Sequence, residues 1–284
     1  MWGKKIITLA IFLPPIFLPK KSMPITTRIP LRRLNQQEFG GIAYEVMRHV
    51  FNIHNEMGRF FDEKIYKREL AHRLPGVLLE EPITITYGSF QKPYFLDVLV
   101  AAGGVFEFKA VEMLTDRHRA QLLHYLLLGD LAHGKLINVR PEVITHEFVN
   151  THWRTANRQQ FDIVSERWDS SWPGTSALQE WLVGLLRDVG AGLETSLYEE
   201  AVTHFFGGPD LVEADVRVSL GSHELGLQRM RLIAPHIALK ITGFDQSLVD
   251  FESHARKLIA HTDLRAIAWI NINMRQVTFT TVTP

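Results

Sequence analysis

One feature limits this 284-residue chain more than any other: its second half repeats the first at a nearly constant spacing. Adding 133 to positions 78–149 pairs Leu78 with Leu211, Glu80 with Glu213, Gly88-Ser89 with Gly221-Ser222 and Leu99 with Leu232. It also pairs Ala101 with Ala234, Asp130-Leu131 with Asp263-Leu264, Ile137-Asn138 with Ile270-Asn271, Thr145 with Thr278 and Val149 with Val282. Upstream, one deleted residue moves the offset to 132, where Gly58 meets Gly190, Tyr66 meets Tyr198 and His72 meets His204. A single offset that also aligns strand-like and helix-like segments is the signature of a duplicated structural unit. One domain is therefore expected twice, over 26–150 and 176–284, each long enough to bury its own core.

The periodicity within the first copy sets the fold class. Phe39, Ile42, Ala43, Val46, Val50 and Ile53 recur at three- and four-residue spacing, so 37–55 reads as an amphipathic helix. A second helix is expected over 62–73, stopped by Pro75-Gly76. Strands follow at 77–87, 94–100 and 105–111, the last two joined by Ala101-Ala102-Gly103-Gly104 as a hairpin loop. A helix over 117–128 and strands at 135–139 and 143–149 complete the unit. This order implies an α/β class of the α+β type, a mixed sheet with helices packed on it. Residues 151–175 read as a connector, whose Trp153, Trp168 and Trp172 are expected to pack between the domains; an exposed aromatic binding strip is the alternative.

Residues 1–25 form an N-terminal extension. Lys4-Lys5 before an apolar run has the order of a signal peptide, but Pro14-Pro15 and Pro19 interrupt it and no small-x-small cleavage site follows. The reading is an upstream start with Met23 as the true initiator of a cytoplasmic protein; export or anchoring is the alternative. The absence of cysteine excludes disulfide frameworks, thiol catalysis and Cys-ligated metals. With 31 basic and 31 acidic residues, the chain has no overall field to draw in a polyanion. No GxxxxGK[ST] loop occurs, and no organic cofactor is expected.

Asp97 lies in one strand of the hairpin, Glu107 and Lys109 in the other. Side chains alternate along a strand, so Glu107 and Lys109 share a face. Asp97 meets them only if the loop is centred on Ala102 with an odd number of residues; a two-residue turn would send it to the other side. Two carboxylates at that range repel unless a divalent cation sits between them, and oxygen-only ligation suits Mg²⁺ or Mn²⁺ beside a phosphate. Lys109 would then position or deprotonate the attacking water, or stabilise charge growing on phosphorus. The plainer alternative is an ion pair of Asp97 and Lys109 with Glu107 at an exposed sheet edge.

The stretches Leu96-Asp97-Val98-Leu99-Val100, Val105-Phe106-Glu107-Phe108-Lys109-Ala110-Val111, Ala120-Gln121-Leu122-Leu123-His124-Tyr125-Leu126 and Gly134-Lys135-Leu136-Ile137-Asn138 resemble the GxxExxY proteins of the PD-(D/E)XK nuclease superfamily. Glu63-Lys64-Ile65-Tyr66 matches the Glu and Tyr of that name, and Ile53 to Gly58 resembles the family's helix end. The glycine of the name motif falls on Phe60, a departure that affects the local loop shape. The resemblance spans roughly 38–150. It implies a restriction-endonuclease-like core of αβββαβ type, with Asp97 and Glu107 holding the metal and Lys109 assisting the water. It also implies that Glu63 is a further carboxylate at the metal and that Gln121 faces the same cleft.

In the second copy Asp97 becomes Met230, Glu107 becomes Lys240, Lys109 becomes Thr242, Gln121 becomes His254 and Glu63 becomes Thr195. The expected protein is thus a Mg²⁺- or Mn²⁺-dependent nuclease acting on DNA or RNA, with one active site. Its degenerate second half is expected to pair with the first within the chain. A non-catalytic nucleic-acid- or protein-binding module that keeps the nuclease fold is the alternative, as is a metal-dependent enzyme acting on a phosphorylated small molecule.

Overall fold

The computed structural model describes residues 24–284. Residues 1–23, on which the expected upstream start or export signal falls, lie outside the described residues. Strand β1 (Ile25–Thr27) is followed by helices α1 (Gln36–Met57) and α2 (Glu63–Arg73) and strands β2 (Val77–Tyr87), β3 (Phe90–Val100) and β4 (Gly104–Lys109). Helix α3 (Asp116–Leu128) then crosses to β5 (His133–Asn138), and β6 (Thr145–Asn150) closes the half. The start of α1 is fixed by a capping box in which Glu38 N–H donates to Asn35 Oδ1 and Asn35 N–H to Glu38 Oε2. Its buried stripe is Phe39, Ala43, Val46, Met47, Val50 and Ile53, and it stops at Gly58 with φ 75°.

The six strands lie in chain order, β1-β2-β3-β4-β5-β6. Only β4 and β5 are parallel, because α3 carries the chain back over the sheet between them. Beyond β6 come α4 (Thr155–Arg158), β7 (Asp162–Arg167), α5 (Thr175–Val189), α6 (Thr195–Phe205), α7 (Pro209–Val212), β8 (Glu213–Leu220), β9 (His223–Ala234), β10 (Ile237–Thr242), α8 (Leu248–Ala260), β11 (Ala266–Ile272) and β12 (Gln276–Val282). The second sheet runs β7-β12-β11-β10-β9-β8, again with its crossover pair, β10 and β11, parallel. Both halves form mixed α/β layers consistent with a restriction-endonuclease-like fold.

Three expectations need correction. The stretch read as a connector carries β7, which pairs in parallel with β12 as an integral edge of the second sheet. Only Ile163 and Val164 in β7 are apolar, so a one-sided edge strand showed no alternation strong enough to read. The strand expected from 94 begins at Phe90, and the one expected to reach 111 ends at Lys109.

Local details recur as well as topology. The Tyr66 hydroxyl donates to the Gly58 carbonyl at 2.6 Å, and the Tyr198 hydroxyl donates to that of Gly190 at 2.9 Å. The Asn138 side chain accepts from Val111 N–H and donates to its carbonyl, and Asn271 does the same to Phe244. Both pairs of contacts obey the offsets read from the sequence. Tyr198 is fully buried and its oxygen also accepts from Leu193 N–H. Tyr198→Phe leaves both backbone groups unpaired and is expected to cost about 1–3 kcal/mol in urea unfolding.

The halves share one core. Helices α1 and α2 cover one face of the first sheet, where Phe39, Val50, Tyr66, Leu70, Phe106 and Phe108 pack. The other face meets α3 together with α5 and α6 of the second half, which lie in turn on the second sheet; α8 covers that sheet's far side. The α3 side of the first sheet therefore faces the α5-α6 side of the second, a head-to-tail arrangement, unlike the self-matching face of a two-fold dimer. Polar ties cross the junction: Tyr94 Oη donates to Glu194, Lys92 pairs with Glu200, and Glu194 N–H donates to His124 Nδ1. Among the described residues no helix is long and apolar enough to cross a membrane.

Candidate active site

The β3–β4 ladder pairs Val98 with Phe106, Leu99 with Val105 and Val100 with Gly104. The loop is therefore Ala101, Ala102 and Gly103, three residues instead of the four read as loop from sequence. Continuing that register sets Asp97 across from Glu107. The loop is held from outside: Arg32 N–H donates to Ala102 O, and a Cβ on Gly103 would lie 2.0 Å from Arg32 O. Past Phe106 the ladder ends, and the Phe108 N–H is taken by Asp97 Oδ2 at 3.0 Å.

Glu107 is 1% exposed. Its Oε1 accepts from Lys109 Nζ at 2.7 Å, while its Oε2 is buried with no hydrogen-bond partner. Burial, and then the charge of Asp97, push the Glu107 carboxyl up to about 7 against the pull of Lys109. A buried carboxylate oxygen without a donor is costly, and a proton or a cation relieves it.

Asp97 Oδ1 accepts from Lys67 Nζ at 2.7 Å, and the same ammonium bonds Glu80. Burial lowers the Lys67 pKa, but the hydrogen bonds to Asp97 and Glu80 outweigh it and hold the amine above the ordinary lysine value. Glu80 has φ 52°, a strained conformation for this residue, where the β2–β3 pairing passes from Leu79–Val98 to Glu81–Leu96. Neither Lys67 nor Glu80 stood out as a site residue in the sequence. The signal was faint: a lysine in the charged helix Glu63–Arg73 reads as solvated, and the kink at Glu80 leaves no mark on composition.

Glu63 comes to the end of β4, where its Oε1 accepts from Ala110 N–H at 2.9 Å. Gln121 donates to Tyr125 Oη on its own helix and contacts neither Asp97 nor Glu107 directly. Burial pushes the Tyr125 hydroxyl up to about 12, with Glu107 and Asp97 adding to the rise. The ion-pair arrangement read from spacing differs from the one found: Lys109 holds Glu107, Lys67 holds Asp97, and Glu107 is interior, away from any exposed edge. Among the described residues no three His, Asp or Glu side chains converge closely enough to enclose a metal alone.

At the matching positions of the second half, Met230 is buried in the α8-side core. Thr242 Oγ1 donates to Asn271 and accepts from Trp269 Nε1. A cavity of about 260 Å³ near Trp269, Asn271 and Glu252 belongs to this half, and none of Asp97, Glu107 or Lys109 lines it.

These features can be set beside known proteins. Residues 41–150 match the family model of the PD-(D/E)XK nuclease superfamily. Neither a curated protein nor a solved structure matches the chain. The match covers α1 through β6 apart from the first turn of α1, and so includes Glu63, Lys67, Glu80, Asp97, Glu107, Lys109 and Gln121. Nucleases of the PD-(D/E)XK superfamily act on nucleic acids and typically use divalent metals. The donor set here fits such an ion in kind: all oxygen, one oxygen unpartnered and buried, and an adjacent carboxylate.

Proposed function

We propose that the protein is a Mg²⁺- or Mn²⁺-dependent nuclease that hydrolyses phosphodiester bonds of DNA or RNA at one site in its N-terminal half. The observation that carries this is the buried Glu107, with Oε2 unpartnered, set across the hairpin from Asp97 and holding Lys109 by its other oxygen. Asp97 and Glu107 would hold the ion. Two carboxylates suffice for Mg²⁺, which keeps waters and takes its remaining contacts from phosphate. When bound, the ion would supply Lewis-acid polarisation of the phosphate and offset the charge that grows on it.

Lys109, anchored on Glu107 and partly exposed, would orient the attacking water or meet the developing negative charge. Lys67 acts as a positioning residue that keeps Asp97 in place. Glu63 ties α2 to Ala110 next to Lys109, and its free oxygen is available to a metal-bound water or to the ion. Gln121 lies on the α3 side of the same cleft. We take residues 176–284 as a degenerate copy of the domain, supported by the repeated Tyr–Gly and Asn–backbone contacts, and without a metal site of this kind. That copy serves as the fixed partner of the first.

The test is cleavage of duplex, single-stranded and structured DNA and RNA in Mg²⁺ or Mn²⁺ against EDTA, with Asp97→Ala and Lys109→Ala as controls. The expected result is metal-dependent cleavage, lowered at least about 100-fold in both variants. With one competent site, duplex DNA should be nicked first. One observation favours a second reading: Lys67 already neutralises Asp97 and Glu80. If the wild type binds nucleic acid and never cuts it, Lys67 stands in for the ion and the domain is a binding module.

A further inference from the structure

The loop between α1 and α2 carries two exposed aromatic side chains, Phe60 at 78% and Phe61 at 45%. Single exposed apolar side chains are ordinary, but two adjacent exposed rings make a contiguous apolar patch, the kind of feature that marks a contact surface. This loop is also unusually well fastened. Tyr66 Oη donates to Gly58 O, Arg140 Nη1 donates to Arg59 O at 3.2 Å, and Arg140 Nε donates to Ala110 O at 3.4 Å. Glu63, at the start of α2, binds Ala110 N–H. One guanidinium thus spans from the loop to the residue that follows Lys109, which fastens the loop to the end of β4.

The two arginines of this region form no ion pair among the described residues. Arg59 lies with its Cζ 5.1 Å from the Phe60 ring centroid. Arg140 donates only to carbonyl oxygens. A guanidinium against a solvent-facing aromatic ring, with a second one fastening the same loop and neither in an ion pair, is the combination that binds unpaired nucleotides: phosphate contact from arginine and base stacking on the ring. A base inside a continuous duplex has both faces covered and cannot use such a ring.

We propose that Phe60, with Arg59 and Arg140, forms a stacking platform for an unpaired nucleotide, so that the substrate enters the site as a single strand or a frayed or branched end. The proposal rests on the nuclease reading and deepens it by naming the substrate class. Phe60 is where this chain departs from the glycine of the motif it otherwise resembles, which makes the platform a property of this sequence.

The test is made with the full chain in EDTA, where cleavage does not occur. Oligonucleotides carrying 2-aminopurine, as single-stranded DNA, single-stranded RNA and duplex DNA, are titrated with wild type, Phe60→Ala and Phe60→Trp. The expected result is fluorescence quenching on single strands, a loss of affinity of about tenfold and of the quenching in Phe60→Ala, recovery in Phe60→Trp, and unchanged duplex binding. The DNA and RNA arms identify the preferred strand. Equal binding and quenching by Phe60→Ala, or an equal loss on duplex, would overturn the platform. Because the ring is exposed, the variant should melt with wild type, which a thermal scan confirms. Cleavage by a protein that shows no Phe60 effect leaves the nuclease reading intact without the platform. Quenching by a protein that never cleaves leaves the platform intact without the nuclease.

Discussion

Glu107→Gln is expected to abolish metal-dependent cleavage while making the metal-free protein more stable at pH 8. The wild-type carboxyl is raised to about 7 in the folded chain, chiefly by burial. The folded state therefore binds a proton more tightly than the unfolded state does. This group's stabilising contribution is complete below the unfolded value, near 4.5, and is lost as pH rises through about 7. A rise of that size corresponds to roughly 1–3 kcal/mol, a figure of order-of-magnitude precision. Glutamine keeps the shape and can accept from Lys109, yet never ionises. Urea unfolding in EDTA should show the variant gaining on wild type between pH 5 and 8. Mg²⁺ added at pH 8 should stabilise wild type and leave the variant unmoved, because only the carboxylate is relieved by a cation. Cleavage by wild type should also rise with pH, but with a midpoint below about 7 that falls as Mg²⁺ is raised, because the bound cation favours the carboxylate.

The second large effect lies at the junction of the halves. Arg158 on α4 is fully buried, donating from Nη1 to Ala191 O and from Nη2 to Leu127 O, each at 2.9 Å. One guanidinium thus ties the end of α3 to the loop before α6. Arg158→Ala leaves two buried carbonyls unpaired and opens a cavity beside Gly190, so a loss of about 3–5 kcal/mol is expected. The shared core further predicts that the halves unfold together. Apart from Trp2, which lies outside the described residues, every tryptophan lies in 151–284, so with Trp2 replaced by Phe tryptophan fluorescence reports the second half and far-ultraviolet circular dichroism the whole. The two probes should give coincident urea transitions in wild type, both moved to lower urea in Arg158→Ala. Separate transitions in wild type would mean that the halves are independent.

Much of the fold was legible because periodicity reports burial directly. The stripe from Phe39 to Ile53 could only be a one-faced helix, and the parity argument for Asp97 and Glu107 required an odd loop centred on Ala102 or a bulge, which the three residues Ala101, Ala102 and Gly103 supply. Other parts were illegible for physical reasons. β7 is an edge strand with few apolar residues, and its pairing with β12 is a long-range fact no local pattern encodes. Lys67 and Glu80 gain their meaning from the approach of α2 to β2 and β3. The head-to-tail stacking of the halves was equally hidden, since an apolar helix face shows that it is buried, not against what.

The central claim is that one metal-dependent site, built on Asp97 and Glu107, does the chemistry while its counterpart in the second half does none. The most direct measurement is single-turnover cleavage of the best substrate in Mg²⁺ or Mn²⁺ by wild type, Asp97→Ala and Lys240→Ala, the last altering the position that matches Glu107. The account predicts a fall of at least about 100-fold for Asp97→Ala and a rate within about twofold of wild type for Lys240→Ala. Cleavage that persists at the wild-type rate in Asp97→Ala, or that disappears in Lys240→Ala alone, would contradict it.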